Sequence, residues 1–170
     1  MKYHVTKKQN NSHMCFVCGI DNHAGLHTKF YELDHSFMLG IFQGDHIHQS
    51  YPSRMHGGII TALLDETIGR SIQISEPDTF GVTYDLTIRF LKPVPLHQTL
   101  YAIGKITHDH RKLFFGEGYV CTNNGDILAT CQAKYMKQDV KKMISEDQQF
   151  LEEQWIYVDD DIPEFIDLPR

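Results

Sequence analysis

His56-Gly57-Gly58 opens a nearly all-apolar run, and eight residues after Gly57 that run carries two adjacent carboxylates, Asp65 and Glu66. Bare amide donors at the start of a helix, where the dipole is positive, can hold an oxyanion. An acid set among apolar residues is costly unless it has a partner or a task. An oxyanion donor and a positioned carboxylate are two of the parts that acyl transfer needs.

Helix geometry separates the two acids. Glu66 has Arg70 at i+4, the favourable order for an ion pair, which is a sufficient structural reason for it. Asp65 has Thr61, Ala62, Ile68 and Gly69 around it, no charged partner on its own helix, and mostly small neighbours that leave room for a substrate. Asp65 is the candidate general base or nucleophile. The structural alternative is a carboxylate bonded to loop backbone. Gly57 is the candidate oxyanion donor, with Gly58 beside it as a candidate substrate contact. Glycines at a helix start also serve close packing or a tight turn. His56 could orient the acyl carbonyl or simply cap its neighbourhood; with 11 histidines in the chain, one alone is weak evidence.

These residues need a scaffold. The helix is expected from about Gly57 to about Ile74, stopped by Glu76-Pro77-Asp78. Before it, residues 26–33 and 36–43 alternate as two short strands turned by Asp34-His35, and 44–55 read as a loop. After it, Val82, Tyr84, Leu86, Ile88 and Phe90 form the apolar face of a strand over 82–90, with Thr83 on the opposite face. Further strands are expected over 98–107, 113–122 and 127–136, the last two joined by a hairpin turn at Asn123-Asn124-Gly125-Asp126. Residues 138–153 pattern as a charged amphipathic helix and 154–170 as an acidic tail. Residues 1–14 are polar and expected to be loosely ordered. A helix apolar on nearly all sides must be wrapped, so the pattern predicts an α+β fold in which one antiparallel sheet curls around one long helix.

With 170 residues, 41% hydrophobic and 22% charged, the chain reads as an ordinary globule. A net charge of −6 argues against general nucleic-acid binding. No run approaches a membrane span or a secretory signal, so the expectation is a cytoplasmic protein with no membrane partner. Four scattered cysteines do not make a disulfide scaffold. Cys15-x-x-Cys18, near His13, His23 and His27, has zinc-like spacing, but no second pair completes a set of four ligands. The segment also lacks the strand-to-helix setting of a redox pair. The expectation is therefore no metal and no cofactor.

Three segments carry a family likeness: Cys15-Phe-Val-Cys18-Gly19-Ile-Asp-Asn22-His-Ala-Gly25-Leu26; His48-Gln49-Ser-Tyr51-Pro52 leading into His56-Gly57-Gly58 and Leu64-Asp65-Glu66; and the strand from Gly81 to Phe90-Leu-Lys-Pro93. Over about residues 15–137 the chain resembles hotdog-fold acyl-CoA thioesterases of the phenylacetate-pathway (PaaI-like) type. The remaining divisions are a flexible segment, 1–14, and a C-terminal helix and tail, 138–170.

The resemblance implies hydrolysis of an acyl-CoA to free acid and CoA, without a metal, in a homodimer or dimer of dimers. It lands on Asp65 as the acid and Gly57 as the oxyanion donor. It also suggests Thr83 as a water-positioning hydroxyl, against the reading of Thr83 as a merely strand-favouring residue. Relatives often have Gly at position 50. Here Ser50 follows His48 and Gln49, and which of the three meets the leaving group stays open. Arg111-Lys112 is the candidate contact for CoA phosphates, or an ordinary solvated turn; Lys92 and Lys105 are weaker candidates.

A spacing argument adds the dimer independently. Gly57 and Asp65 stand about 12 Å apart along one helix, yet both must come within roughly 3 Å of one reacting carbon. Two antiparallel helices across a two-fold axis solve this, Gly57 of one subunit facing Asp65 of the other. The rival function is a non-catalytic acyl-CoA binding or sensing module on the same fold.

Overall fold

A computed structural model describes residues 1–146, 158 and 162–168. Strands β1 (Lys2–Lys8), β2 (Lys29–Leu33) and β3 (Phe37–Gln43) precede helix α1 (Gly57–Arg70). Strands β4 (Thr79–Phe90), β5 (Thr99–Asp109), β6 (Leu113–Thr122) and β7 (Ile127–Asp139) follow, then α2 (Val140–Glu146) and β8 (Phe165–Asp167). All eight strands join one antiparallel sheet in the order β4-β7-β6-β5-β3-β2-β1-β8. Among the described residues no helix is long and apolar enough to cross a membrane.

The sheet curls around α1, as the all-round apolarity of that helix requires. Ile60, Leu63, Leu64, Thr67 and Ile68 are its buried residues. The helix sits unusually close to the sheet floor. A Cβ built on Gly116 would stand 2.4 Å from Ile68 Cγ2, and one on Gly104 3.0 Å from the Thr67 carbonyl. Glycine at these strand positions is what lets the helix backbone nest there. The α-helix ends at Arg70 rather than Ile74, tightening into a 3₁₀ turn over Ser71–Ile74.

The chain ends differ from expectation. Residues 1–14, expected to be loose, contain β1, and Val5, Lys8, Gln9, Asn11 and Ser12 are buried. Val5 joins an apolar cluster on the outer sheet face, and the polar residues find partners: Asn11 Nδ2 donates to the carbonyls of Cys18 (2.6 Å) and Thr28 (3.2 Å). Part of the expected acidic tail, Phe165–Asp167, is a strand paired with β1. The expected 138–153 helix begins after β7 ends at Asp139; its described part is α2, and residues 147–153 lie outside the described residues. β2 starts only at Lys29 because His27 adopts a positive φ of 49°, and the turn before β3 uses positive φ at both His35 and Ser36.

β4 breaks the simple alternation. Its pairing with β7 slips between Thr83 and Asp85, a β-bulge. Leu86 and Ile88 pack on the core as expected. Beyond the bulge the faces exchange: Val82 and Tyr84 turn outward, Tyr84 being 67% exposed, while Thr83 turns to the helix.

Candidate functional site

Asp65 lies in the middle of α1, half-buried, where the helix passes the bulged end of β4. The Thr83 hydroxyl donates to its Oδ1 at 2.8 Å. The Tyr135 hydroxyl, from β7, donates to the Asp65 main-chain carbonyl at 2.8 Å. Burial is the main influence raising the Asp65 pKa, with a smaller push from the Glu66 charge; hydrogen bonds from Thr83 and Tyr135 pull the other way. The side chain borders a cavity of about 320 Å³ that also reaches Thr83, Tyr135, Phe80 and Gly81. A partly desolvated carboxylate with one hydroxyl partner, open to a cavity, can take a proton or attack an acyl carbon.

The neighbouring carboxylate is built for a different purpose. Arg70 reaches Glu66 Oε1 through Nη2 at 2.7 Å and Nε at 2.9 Å, the i+4 pair expected from the sequence. Burial would raise the Glu66 pKa, but the Arg70 charge and hydrogen bonds from Cys15 and Arg70 outweigh it and hold it low. Arg70 also bonds the Asn10 carbonyl (3.0 Å) and Gln9 Oε1 (3.2 Å), and lies over the Phe30 ring. Glu66 and Arg70 thus tie the helix to the N-terminal segment.

At the other end of the helix, His56 is the N-cap. Its Nδ1 accepts the Gly58 N–H at 2.9 Å, so Gly58, expected to meet substrate, spends its amide on the cap. The Gly57 N–H has no acceptor among the described residues. A Cβ on Gly57 would lie 3.2 Å from Phe90 Cζ, so this helix end rests against the far end of β4. A second cleft here is lined by Gly57, Ser50, Tyr51, Arg54, Phe90 and Lys92, among others.

The loop candidates separate. His48 is buried, its Nδ1 accepting from Asp45 N (2.9 Å) and its Nε2 donating to the Ala24 carbonyl (2.9 Å); both ring nitrogens are engaged inside the loop. Gln49 Oε1 accepts from Ser53 N at 3.1 Å, bracing the turn. Of the three, Ser50 borders the Gly57 cleft. Arg111 and Lys112 are exposed on the β5–β6 turn, where the Lys112 carbonyl accepts from Lys137 N at 2.9 Å. They line neither cleft of the single chain but stand at the sheet end nearest Thr83, since Leu113 pairs with Met136 and Met136 with Val82.

Two features were not legible as site features. Tyr135 reads in sequence as one more apolar-face residue of its strand. Gly69, read as room for substrate, lines the Asp65 cavity and also leaves space for the Tyr135 ring: a Cβ there would stand 3.2 Å from Tyr135 Cε1. Thr61 also closes in, donating to the Gly57 carbonyl at 2.9 Å.

Comparison with known proteins agrees with this architecture. The family model described as Thioesterase superfamily matches residues 53–129. An acyl-coenzyme A thioesterase of Mus musculus, THEM4, is 27% identical over 120 residues, 70% of this chain and 51% of that protein. This chain therefore spans about half the length of that curated relative. The BH2602 protein of Bacillus halodurans, solved with CoA, is 26% identical with a TM-score of 0.54, covering 58% of this chain and 70% of that one. The E. coli PaaI protein of the phenylacetic acid degradation operon shares the fold with a TM-score of 0.60 at 18% identity, covering 66% of this chain and 80% of that one.

Proposed function

We propose, from the match of residues 53–129 to the thioesterase superfamily and from the hotdog fold, that this chain hydrolyses an acyl-CoA thioester to the free acid and CoA. The observation that carries the reading is the Asp65 carboxylate, half-buried, held by Thr83 and open to a cavity. Asp65 takes a proton from water as the water attacks the acyl carbon, or attacks that carbon itself. Thr83 positions the carboxylate and the water. The oxyanion that forms needs a preorganised donor, and a free N–H at the positive end of a helix supplies one. Collapse of the tetrahedral intermediate then expels CoA.

The donor comes from a second copy. Gly57 and Asp65 of one helix are about 12 Å apart. β4 is an edge strand whose outer side is unpaired among the described residues. Gly57 lies at its Phe90 end and Asp65 at its Thr83 end. Antiparallel pairing of two β4 strands around a two-fold axis therefore sets Asp65 against Gly57 of the partner subunit, making two shared sites. On this reading the active species is a homodimer or a dimer of dimers. The acyl-CoA approaches across the interface, with Ser50 near the thioester and Arg111 and Lys112 toward the phosphates.

Release of free thiol from a panel of acyl-CoA esters tests the activity, and its absence across the panel would leave the non-catalytic binding reading. Mixing tests the shared site. An Asp65→Asn chain and a chain altered at Gly57, each inactive alone, should regain activity when co-refolded, because one site of the heterodimer is intact. An active monomer by light scattering at assay concentration would refute it.

A further inference from the structure

The cysteine pair sits in the wall of the same cavity as Asp65, and hydrolysis makes no use of it. The Cys15–Gly19 turn is closed by Gly19 N–H to the Cys15 carbonyl at 2.8 Å, which folds Cys18 back onto Cys15. The two sulfurs and the Glu66 carboxylate lie within 4.8 Å of one another. Each sulfur has a charged partner of opposite kind. Arg70 Nη2 stands 3.0 Å from Cys18 Sγ, and Cys15 Sγ donates to Glu66 Oε2 at 3.0 Å. Both cysteines are free thiols, Cys15 half-buried and Cys18 buried except toward the cavity.

We infer that Cys15 and Cys18 form a redox-active dithiol that small peroxides convert to an intramolecular disulfide. The sequence lacks a helix N-terminus to activate either thiol, but Arg70 and Glu66 provide the asymmetry instead. The neighbouring Cys15 thiol, then the Arg70 charge, hold the Cys18 thiol below its ordinary pKa against the opposing effect of burial. Cys15 is pushed far up by the adjacent Cys18, by burial and by the Glu66 charge. Cys18 is thus the sulfur disposed to ionise and Cys15 the one that keeps its proton.

The chemistry balances with peroxide as oxidant. The Cys18 thiolate attacks one peroxide oxygen, the O–O bond breaks, and the departing hydroxide takes a proton to become water. Cys18 is now a sulfenic acid. The Cys15 sulfur then attacks the Cys18 sulfur, and the S–O bond breaks. The second hydroxide takes the proton that Cys15 gives up and leaves as water. Two thiols are oxidised to one disulfide and one hydrogen peroxide is reduced to two waters. The same cluster does not suit a cation, because the Arg70 guanidinium, 3.0 Å from Cys18 Sγ and 2.7 Å from Glu66 Oε1, already supplies the positive charge.

The test uses the reduced 170-residue chain and hydrogen peroxide, read by intact mass and peptide mapping. Cys121 and Cys131 are internal references, buried thiols pushed up to about 11 and about 12 by burial. The expected result is loss of two hydrogens, a Cys15–Cys18 cross-linked peptide, and reversal by dithiothreitol. In the unoxidised chain Cys18 should alkylate with iodoacetamide at least ~10-fold faster than Cys121 or Cys131, as a lowered pKa requires. A Cys15→Ser chain, lacking the resolving thiol, should accumulate a Cys18 sulfenic acid that dimedone traps. Should Cys18 react no faster than Cys121 and Cys131, or Cys15 and Cys18 stay reduced under peroxide, the inference fails. It also fails if the purified chain carries stoichiometric zinc whose chelation is needed before the pair will alkylate, since the cluster is then a metal site.

Discussion

Asp65 and Glu66 are neighbours in sequence and opposites in surroundings. On the Asp65 side the helix meets the bulged strand, and the carboxylate has a hydroxyl, a cavity and, among the described residues, no ion-pair partner. On the Glu66 side it meets the N-terminal segment, and the carboxylate has Arg70, Cys15 and a network reaching Gln9 and Asn10. One step of about 100° around a helix thus separates a desolvated acid from a neutralised one. A carboxylate left short of partners stores the cost that chemistry uses, while its paired neighbour holds the fold.

The largest expected effect breaks the comparison on activity. Asp65→Asn should keep the fold and lower thioester hydrolysis by about 10²–10⁴-fold, the scale of a lost general base. Glu66→Gln should cost far less turnover per folded molecule. Thiol-release kinetics on both variants decides this, and the reverse order would undo the assignment.

Stability should invert that order. Glu66 and Arg70 are both well covered, their side chains 21% and 12% exposed. Removing one partner of such a pair costs about 3 kcal/mol, or roughly 6–12 °C in Tm for a chain of this size. Asp65→Asn should leave Tm unchanged or raise it. The pH dependence carries the same signs. The Asp65 pKa is raised on folding, so its contribution to stability is present at low pH and lost as pH rises through the folded value. The Glu66 pKa is lowered, so its contribution is present above the unfolded value and lost as pH falls through the folded one. Calorimetry of the two variants from acid to neutral pH should show difference curves of opposite slope. Parallel curves would mean that the two environments are not distinct.

Thr83 sharpens the Asp65 side. Its hydrogen bond lowers the Asp65 pKa, so Thr83→Val should move the acid limb of kcat/KM to higher pH. At neutral pH the loss should be about 5-fold, the worth of one hydrogen bond near 1 kcal/mol. An unmoved acid limb would separate Thr83 from Asp65 in function.

What the sequence disclosed was local. The helix, the Glu66–Arg70 pair and the isolation of Asp65 all follow from 3.6-residue geometry within one element. What it hid depends on contacts between distant segments. A regular alternation assigned Thr83 to the outer face, and a one-residue bulge, invisible to periodicity, turned it to the helix. The polar N-terminus looked loose because its partners, β2 and β8, lie far along the chain. Cys15 and Cys18 lacked an activating group until the fold brought Glu66 and Arg70 to them across some fifty residues. His48 and Gly58 have the chemistry of ligands but spend it on loop and cap bonds.

Arg111 and Lys112 give the smallest expected effect and the cleanest contrast with Asp65. Both are exposed and border neither cleft of the single chain, so any contact to CoA phosphates is made at the surface. An exposed charge contact is worth ~0.4–1 kcal/mol, so each Ala substitution should raise KM for acyl-CoA about 2–5-fold. The phosphates are remote from the thioester and meet the same charges in ground and transition states, so kcat should not change. Thioesters that lack the nucleotide should be hydrolysed by the variants as by the parent chain. Steady-state kinetics on both substrate classes measures this. Equal losses on both would return the turn to an ordinary solvated hairpin and move the search for phosphate ligands to Arg54 and Lys92, which border the Gly57 cleft.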